Sequence, residues 1–87
     1  MSLIKRYNLD RYFIDLFKKD DNTIIDINLL DSLESQLNTL EYPREIVDIL
    51  QEIDSIKEII IYDLNNNILL HSINGKEDND AIWIYQD

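Results

Sequence analysis

The chain has 87 residues, a length that suits one small domain and no more. Eighteen acidic residues against eight basic ones set the formal charge at −10, yet 45% of the residues are apolar, which excludes a disordered acidic tail. There is no cysteine and only one glycine, so disulfide frameworks, zinc–thiolate sites, thiol nucleophiles and glycine-rich phosphate cradles are excluded as well.

The first periodic stretch is Leu9 to Lys19. Leu9, Tyr12, Phe13, Leu16 and Phe17 fall at i, i+3, i+4, i+7 and i+8, the stripe of an amphipathic helix. Asn8 is its expected N-cap, Arg11 and Asp15 an i,i+4 pair, and Lys18 and Lys19 suit the negative end of the helix dipole. Upstream, Leu3-Ile4 is expected to add a short edge strand at most. The early charges of Lys5 and Arg6 argue against a signal peptide, and no apolar run approaches the ~20 residues of a membrane span.

After the polar break at Lys19–Thr23, the stretch Thr23–Asp26 reads either as a helix start capped by Thr23 or as a short extended segment. From Asn28 the helical pattern strengthens, with Leu30, Leu33, Leu37 and Leu40 on one side. Pro43 pushes the residue before it out of the α region, so this helix must end near Leu40–Tyr42. Pro43 itself suits the first position of the next helix. Ile46, Val47, Ile49, Leu50 and Ile53 form that helix's apolar face, and it should end around Asp54–Ser55.

Beyond Ile56 the pattern becomes β-branched. Lys57–Leu64 and Ile68–Ile73 read as two strands joined by an Asn65–Asn67 loop, where asparagine tolerates left-handed backbone. Asn74–Asp80 reads as a loop and Ala81–Tyr85 as a third strand. The expected fold is therefore a single α+β domain, residues 1–87, with three N-terminal helices packed on a C-terminal three-stranded antiparallel β-meander.

Little in the chain suggests catalysis. His71 is the only histidine, and the hairpin places Asp63 as its nearest carboxylate orienter. Asp63–Asn67 imitates the start of an EF-hand loop, but Ile68 stands where glycine is demanded and Asn74 where a bidentate glutamate is. The acidic groups Asp20-Asp21-Asn22 and Glu77–Asp80 read as solvated loops. No nucleophile-plus-base group, metal set or cofactor motif emerges, so the expectation is a protein that is not an enzyme and holds no metal or cofactor.

Charge is distributed unevenly. Residues 1–19 carry five bases and two acids, while residues 20–87 carry three bases and 16 acids. Asp31 and Glu34 lie at i,i+3 on the second expected helix, and Glu45, Asp48 and Glu52 at i, i+3 and i+7 on the third. Like charges at these offsets stand about 5–6 Å apart and repel, so they do not help the helix. Their spacing loosely resembles a run of phosphates along a nucleic-acid strand. The plain alternative is solubility, since net charge keeps small proteins apart.

The functional expectation is a small acidic binding protein that occludes a basic surface of a nuclease or other nucleic-acid-handling protein. Anti-CRISPR, anti-restriction and nuclease-immunity proteins use this kind of chemistry. The parallel lies in size and charge alone, and no motif places the chain in a family. Steering would come from Asp31, Glu34, Glu45, Asp48 and Glu52, and anchoring from the aromatics Tyr42 and Tyr85, with Trp83 a further candidate that suits the core better. Direct nucleic-acid binding is disfavoured by the same charge, no membrane partner is implied, and a cytoplasmic setting is expected. The alternative is a non-inhibitory assembly or homodimerisation module that uses Ala81–Tyr85 as an apolar sheet edge.

Overall fold

A computed structural model describes residues 2–20, 22–74 and 76–77. The N-terminal segment is a β-hairpin. Strand β1 (Ser2–Asn8) pairs antiparallel with β2 (Phe13–Lys18), and the turn between them closes through the Leu9 N–H and the Tyr12 carbonyl at 2.9 Å. The expected helix over Leu9–Lys19 is therefore corrected, as is the minor edge strand at Leu3-Ile4. Ile14 shows why. It falls off the helical stripe, yet it is fully buried, as is Leu16, while Phe13 and Phe17 turn to the opposite face. Aromatic and β-branched residues on both sides of a segment favour a pleated strand, and an i,i+3,i+4 stripe can arise when both faces of a strand carry apolar residues.

Two helices follow. Helix α1 (Ile27–Asn38) starts at Asp26, whose carboxylate accepts from the Leu29 N–H at 3.1 Å, so Asp26 and not Thr23 is the N-cap. Helix α2 (Pro43–Leu50) begins on Pro43, as its fixed φ and missing N–H favour. It ends at Leu50, a turn earlier than expected, and turns then lead into β3 (Ile56–Tyr62). Strand β4 (Ile68–Ile73) returns antiparallel, and a two-residue strand, β5 (Lys76–Glu77), lies in the expected Asn74–Asp80 loop. The expected strand Ala81–Tyr85 lies outside the described residues.

The sheet order is β1-β2-β3-β4-β5, antiparallel throughout, with both helices inserted between the two hairpins. The class remains α+β, but the arrangement of three helices on a three-stranded meander does not. The described residues form two helices and four full strands with a short fifth. One cross-strand row, Tyr7, Ile14, Ile61 and Leu70, points inward, as do Leu16 and Ile59. These meet Leu30 and Leu37 of α1 and Ile46, Val47 and Leu50 of α2 in a single core. Each fully buried aliphatic side chain there contributes about 1.5–3 kcal/mol. Among the described residues, both helices cover one face of the sheet and none lies on the other.

Candidate acidic interface on the helical layer

Strand β1 and the turn that joins it to β2 hold α1 and the segment after it by polar contacts. The Lys5 ammonium sits 2.8 Å from an Asp31 carboxylate oxygen and 5.0 Å from the centre of the Tyr7 ring. The Tyr7 hydroxyl donates to the Leu30 carbonyl, which satisfies both groups inside the core. The Asp10 N–H donates to Asn38 Oδ1 at 2.9 Å, and the Tyr12 hydroxyl donates to the Glu41 carbonyl. Burial raises the Tyr7 phenol far above its ordinary range, and the negative fields of Asp31 and Glu34 add to the shift.

The second group of carboxylates lies on α2, which packs over β3 and β4, and in the turn just after it, where Glu52 falls because the helix ends at Leu50. Glu45, Asp48 and Glu52 are all exposed. Glu45 accepts from the Tyr42 backbone N–H at 3.2 Å, so it serves as half of a capping box as well as a surface charge. Asp48 pairs with Arg44, Nε to Oδ1 at 3.2 Å, as the i,i+4 offset predicts. Tyr42 stands at the helix entry with 64% of its surface exposed, well placed for contact. The structure thus places Asp31 and Glu34 on α1, Glu45 and Asp48 on α2, and Tyr42 and Glu52 just before and just after α2. Tyr85 and Trp83 lie outside the described residues.

Three exposed carboxylates of the same layer, Asp26, Glu41 and Asp54, were not among the expected steering residues, because they cap or flank the helices instead of repeating along them. Between residues 26 and 54 the sequence holds eight acids and one base, Arg44. All eight carboxylates are exposed. Lys5 reaches this layer from the sheet. Lys19 and Lys57 instead line a shallow cleft beyond the C-terminal end of α2, with Gln51, Asp54 and Asn74.

The other expected features resolve differently. His71 pairs with Glu58, Nε2 to Oε2, and not with Asp63. Glu58 lies opposite Ile73 in the β3–β4 ladder, and Ile60 opposite His71, so the pair is a diagonal one on the helix-free face. Asp63 is occupied elsewhere. Its carboxylate accepts from the Asn65 and Asn67 N–H groups at 2.8 and 2.9 Å and from the Asn67 side chain at 3.1 Å. Those bonds hold the carboxyl below its usual range. This self-contained loop replaces the EF-hand imitation. Among the described residues no group of three or more metal-ligating side chains converges, and no helix is long and apolar enough to cross a membrane. No family model, curated protein or solved structure matches this chain.

Proposed function

We propose that the helical layer docks onto a basic surface of a nucleic-acid-handling protein and occludes it, in the manner of a nucleic-acid mimic. The observation that carries this reading is the segregation of charge by layer: eight exposed carboxylates against one arginine over residues 26–54. Surfaces that bind nucleic acid recruit lysine and arginine to neutralise phosphates, and a dense carboxylate surface competes for the same groups. Encounter is steered by Asp31, Glu34, Glu45, Asp48 and Glu52, and Tyr42 supplies an exposed aromatic anchor at the start of α2. Such a partner implies an intracellular setting, the host cytoplasm if the chain is phage-encoded.

The test is affinity capture with the full chain as bait at about 50 mM and about 500 mM salt, a range that shrinks the screening length several-fold. A companion bait carries Glu45→Lys, Asp48→Lys and Glu52→Lys. The expected result is a nucleic-acid-binding protein that is recovered at the lower salt, displaced by added DNA or RNA, and lost with the triple reversal. Capture that ignores both salt and reversal would overturn the proposal.

A further inference from the structure

Three neighbouring strands end side by side at one end of the sheet. Lys18 stands opposite Ile56, Glu58 stands opposite Ile73, and the Asn74 N–H donates to the Lys57 carbonyl at 2.7 Å. Lys19, Lys57 and Asn74 come together there, beside the turns that follow α2, and line one cleft with Gln51, Asp54, Ile56 and Ile59. The cleft has a volume of about 490 Å³, within the roughly 300–1,000 Å³ of small-molecule sites.

A bulge places Lys57. Phe17 faces Glu58 and Lys18 faces Ile56, so Lys57 is the extra residue of β3. Strict alternation would send Ile56 and Lys57 to opposite faces, whereas both line the cleft.

The two lysines are also left without carboxylate partners. Lys5, Arg6 and Arg44 each pair with an aspartate, but among the described residues neither Lys19 nor Lys57 forms an ion pair, although Asp54 lines the same cleft. Asp20, next to Lys19 in the chain, turns its carboxylate to the Asn22 N–H and the Thr23 hydroxyl, at 2.9 and 3.0 Å. On a chain of formal charge −10, two unpaired ammonium groups on one cleft are a local reversal of sign.

We infer that this cleft binds a small phosphomonoester. Such a phosphate carries about −1.5 to −2 charges at neutral pH and three acceptor oxygens, which matches two ammonium groups and an amide, whereas a carboxylate brings a single charge to two cations. The sheet side of the cleft supplies the cations. The segment after α2 supplies Gln51 and Asp54, and Asp54 repels a phosphate but accepts from a hydroxyl or amino group. The ester's organic body therefore belongs on that side, over the apolar wall of Ile56 and Ile59. This inference does not rest on the proposed occlusion, and its test uses the chain without a partner.

The experiment is an NMR titration of the full chain's backbone amides at about pH 7.5, where the phosphate is mainly dianionic. The probes are adenosine monophosphate, ribose phosphate, inorganic phosphate and adenosine. The expected result is saturable binding of an ester with a dissociation constant of about 1 mM, since the acidic charge of the whole chain opposes any anion. The shifts should centre on Lys19, Gln51, Lys57 and Asn74, and the tighter ester tells whether the body is a nucleoside or a bare sugar. Adenosine and inorganic phosphate should each bind about tenfold or more weakly, because each lacks one half of the ligand. Lys19→Gln/Lys57→Gln should weaken the ester about tenfold or more, with circular dichroism checking the fold. Lys19→Gln alone, at an exposed position after β2, should weaken it about threefold or more and serves if the bulge does not tolerate the double change. The inference is overturned by a titration that shows no saturation up to about 20 mM ester. It is equally overturned if adenosine or inorganic phosphate binds as tightly as the esters, or if the folded variants bind as the parent chain does.

Discussion

Arg6 and Asp15 face each other across the β1–β2 ladder, with Nε 3.2 Å from Oδ1. Helical spacing pairs Asp15 with Arg11 instead, so this one contact separates the hairpin from the helix that the hydrophobic stripe suggested. Asp15 is the less exposed partner, its side chain at 15% against 42% for Arg6, and it also accepts from Tyr62. Asp15→Ala should therefore cost about 1–3 kcal/mol, as loss of one charged hydrogen bond and one ion pair at a part-buried site does. Arg6→Ala should cost about 1 kcal/mol or less, since its head is wet. A double-mutant cycle by urea unfolding should return a coupling of about 0.5–1 kcal/mol. Zero coupling would show that the pair adds nothing to stability and that Asp15 acts through Tyr62 alone.

Tyr7 joins the hairpin to α1 through its hydroxyl. Tyr7→Phe leaves the Leu30 carbonyl without that donor and should cost about 1–2 kcal/mol at neutral pH. The phenol's pKa is raised in the folded state by burial, then by Asp31 and Glu34, so its stabilisation is fully present below the ordinary value of 10.0 and is lost as pH rises above it. Alkaline unfolding followed by circular dichroism should be shallower in Tyr7→Phe than in the parent chain. Equal slopes above that pH would contradict the placement.

The loop after β3 depends on two residues. Asn66 has φ 68°, a left-handed conformation that β-branched residues resist. Asn66→Val should cost about 1–2 kcal/mol, while Asn66→Gly should be close to neutral. Asp63 has its carboxyl held below 3.8 by the bonds from Asn67 and Asn65. Its contribution is complete above 3.8 and fades as pH falls through the lower folded-state value, so Asp63→Asn should flatten the acid limb of a stability-versus-pH curve and leave neutral-pH slopes untouched.

Carboxylates gathered on two helices are unfavourable to the fold itself. Glu34 and Glu52 share their surface with other acids, so Glu34→Gln/Glu52→Gln should hold or raise the thermal midpoint at low salt, by a few tenths of a kcal/mol. The same variant should bind a basic partner more weakly. Marked destabilisation by this neutral pair would show that these charges serve the fold and not a partner.

The stretch from Pro43 to Ile73 was largely legible because its signals are local. Pro43 starts α2, β4 spans the expected Ile68–Ile73, and Asn66 takes the left-handed turn that an Asn-rich loop favours. The acidic rows were largely legible, since Asp31 and Glu34 lie on α1 and Glu45 and Asp48 on α2, all exposed, while Glu52 falls in the turns after α2 because that helix stops at Leu50. The first twenty residues misled because Leu9, Tyr12, Phe13, Leu16 and Phe17 satisfy a helical template while splitting between the core, the hairpin turn and the two faces of a strand. Nothing local distinguishes these outcomes. Ile14 and Leu16 are decided by Ile61 and Ile59, which come more than forty residues later and sit opposite them in the sheet.

By itself the sequence determined that this chain folds, that it is strongly acidic, and that its helices carry that acidity in rows, because composition and helical offsets act over a few residues. Only the tertiary structure decided that the N-terminus is a hairpin, that His71 answers to Glu58, and that Asp15 pairs with Arg6 on the sheet face opposite the helices. Those outcomes depend on which strands lie side by side, and pairing is set by burial across the whole sheet, where a one-residue change of register exchanges every inward side chain for an outward one.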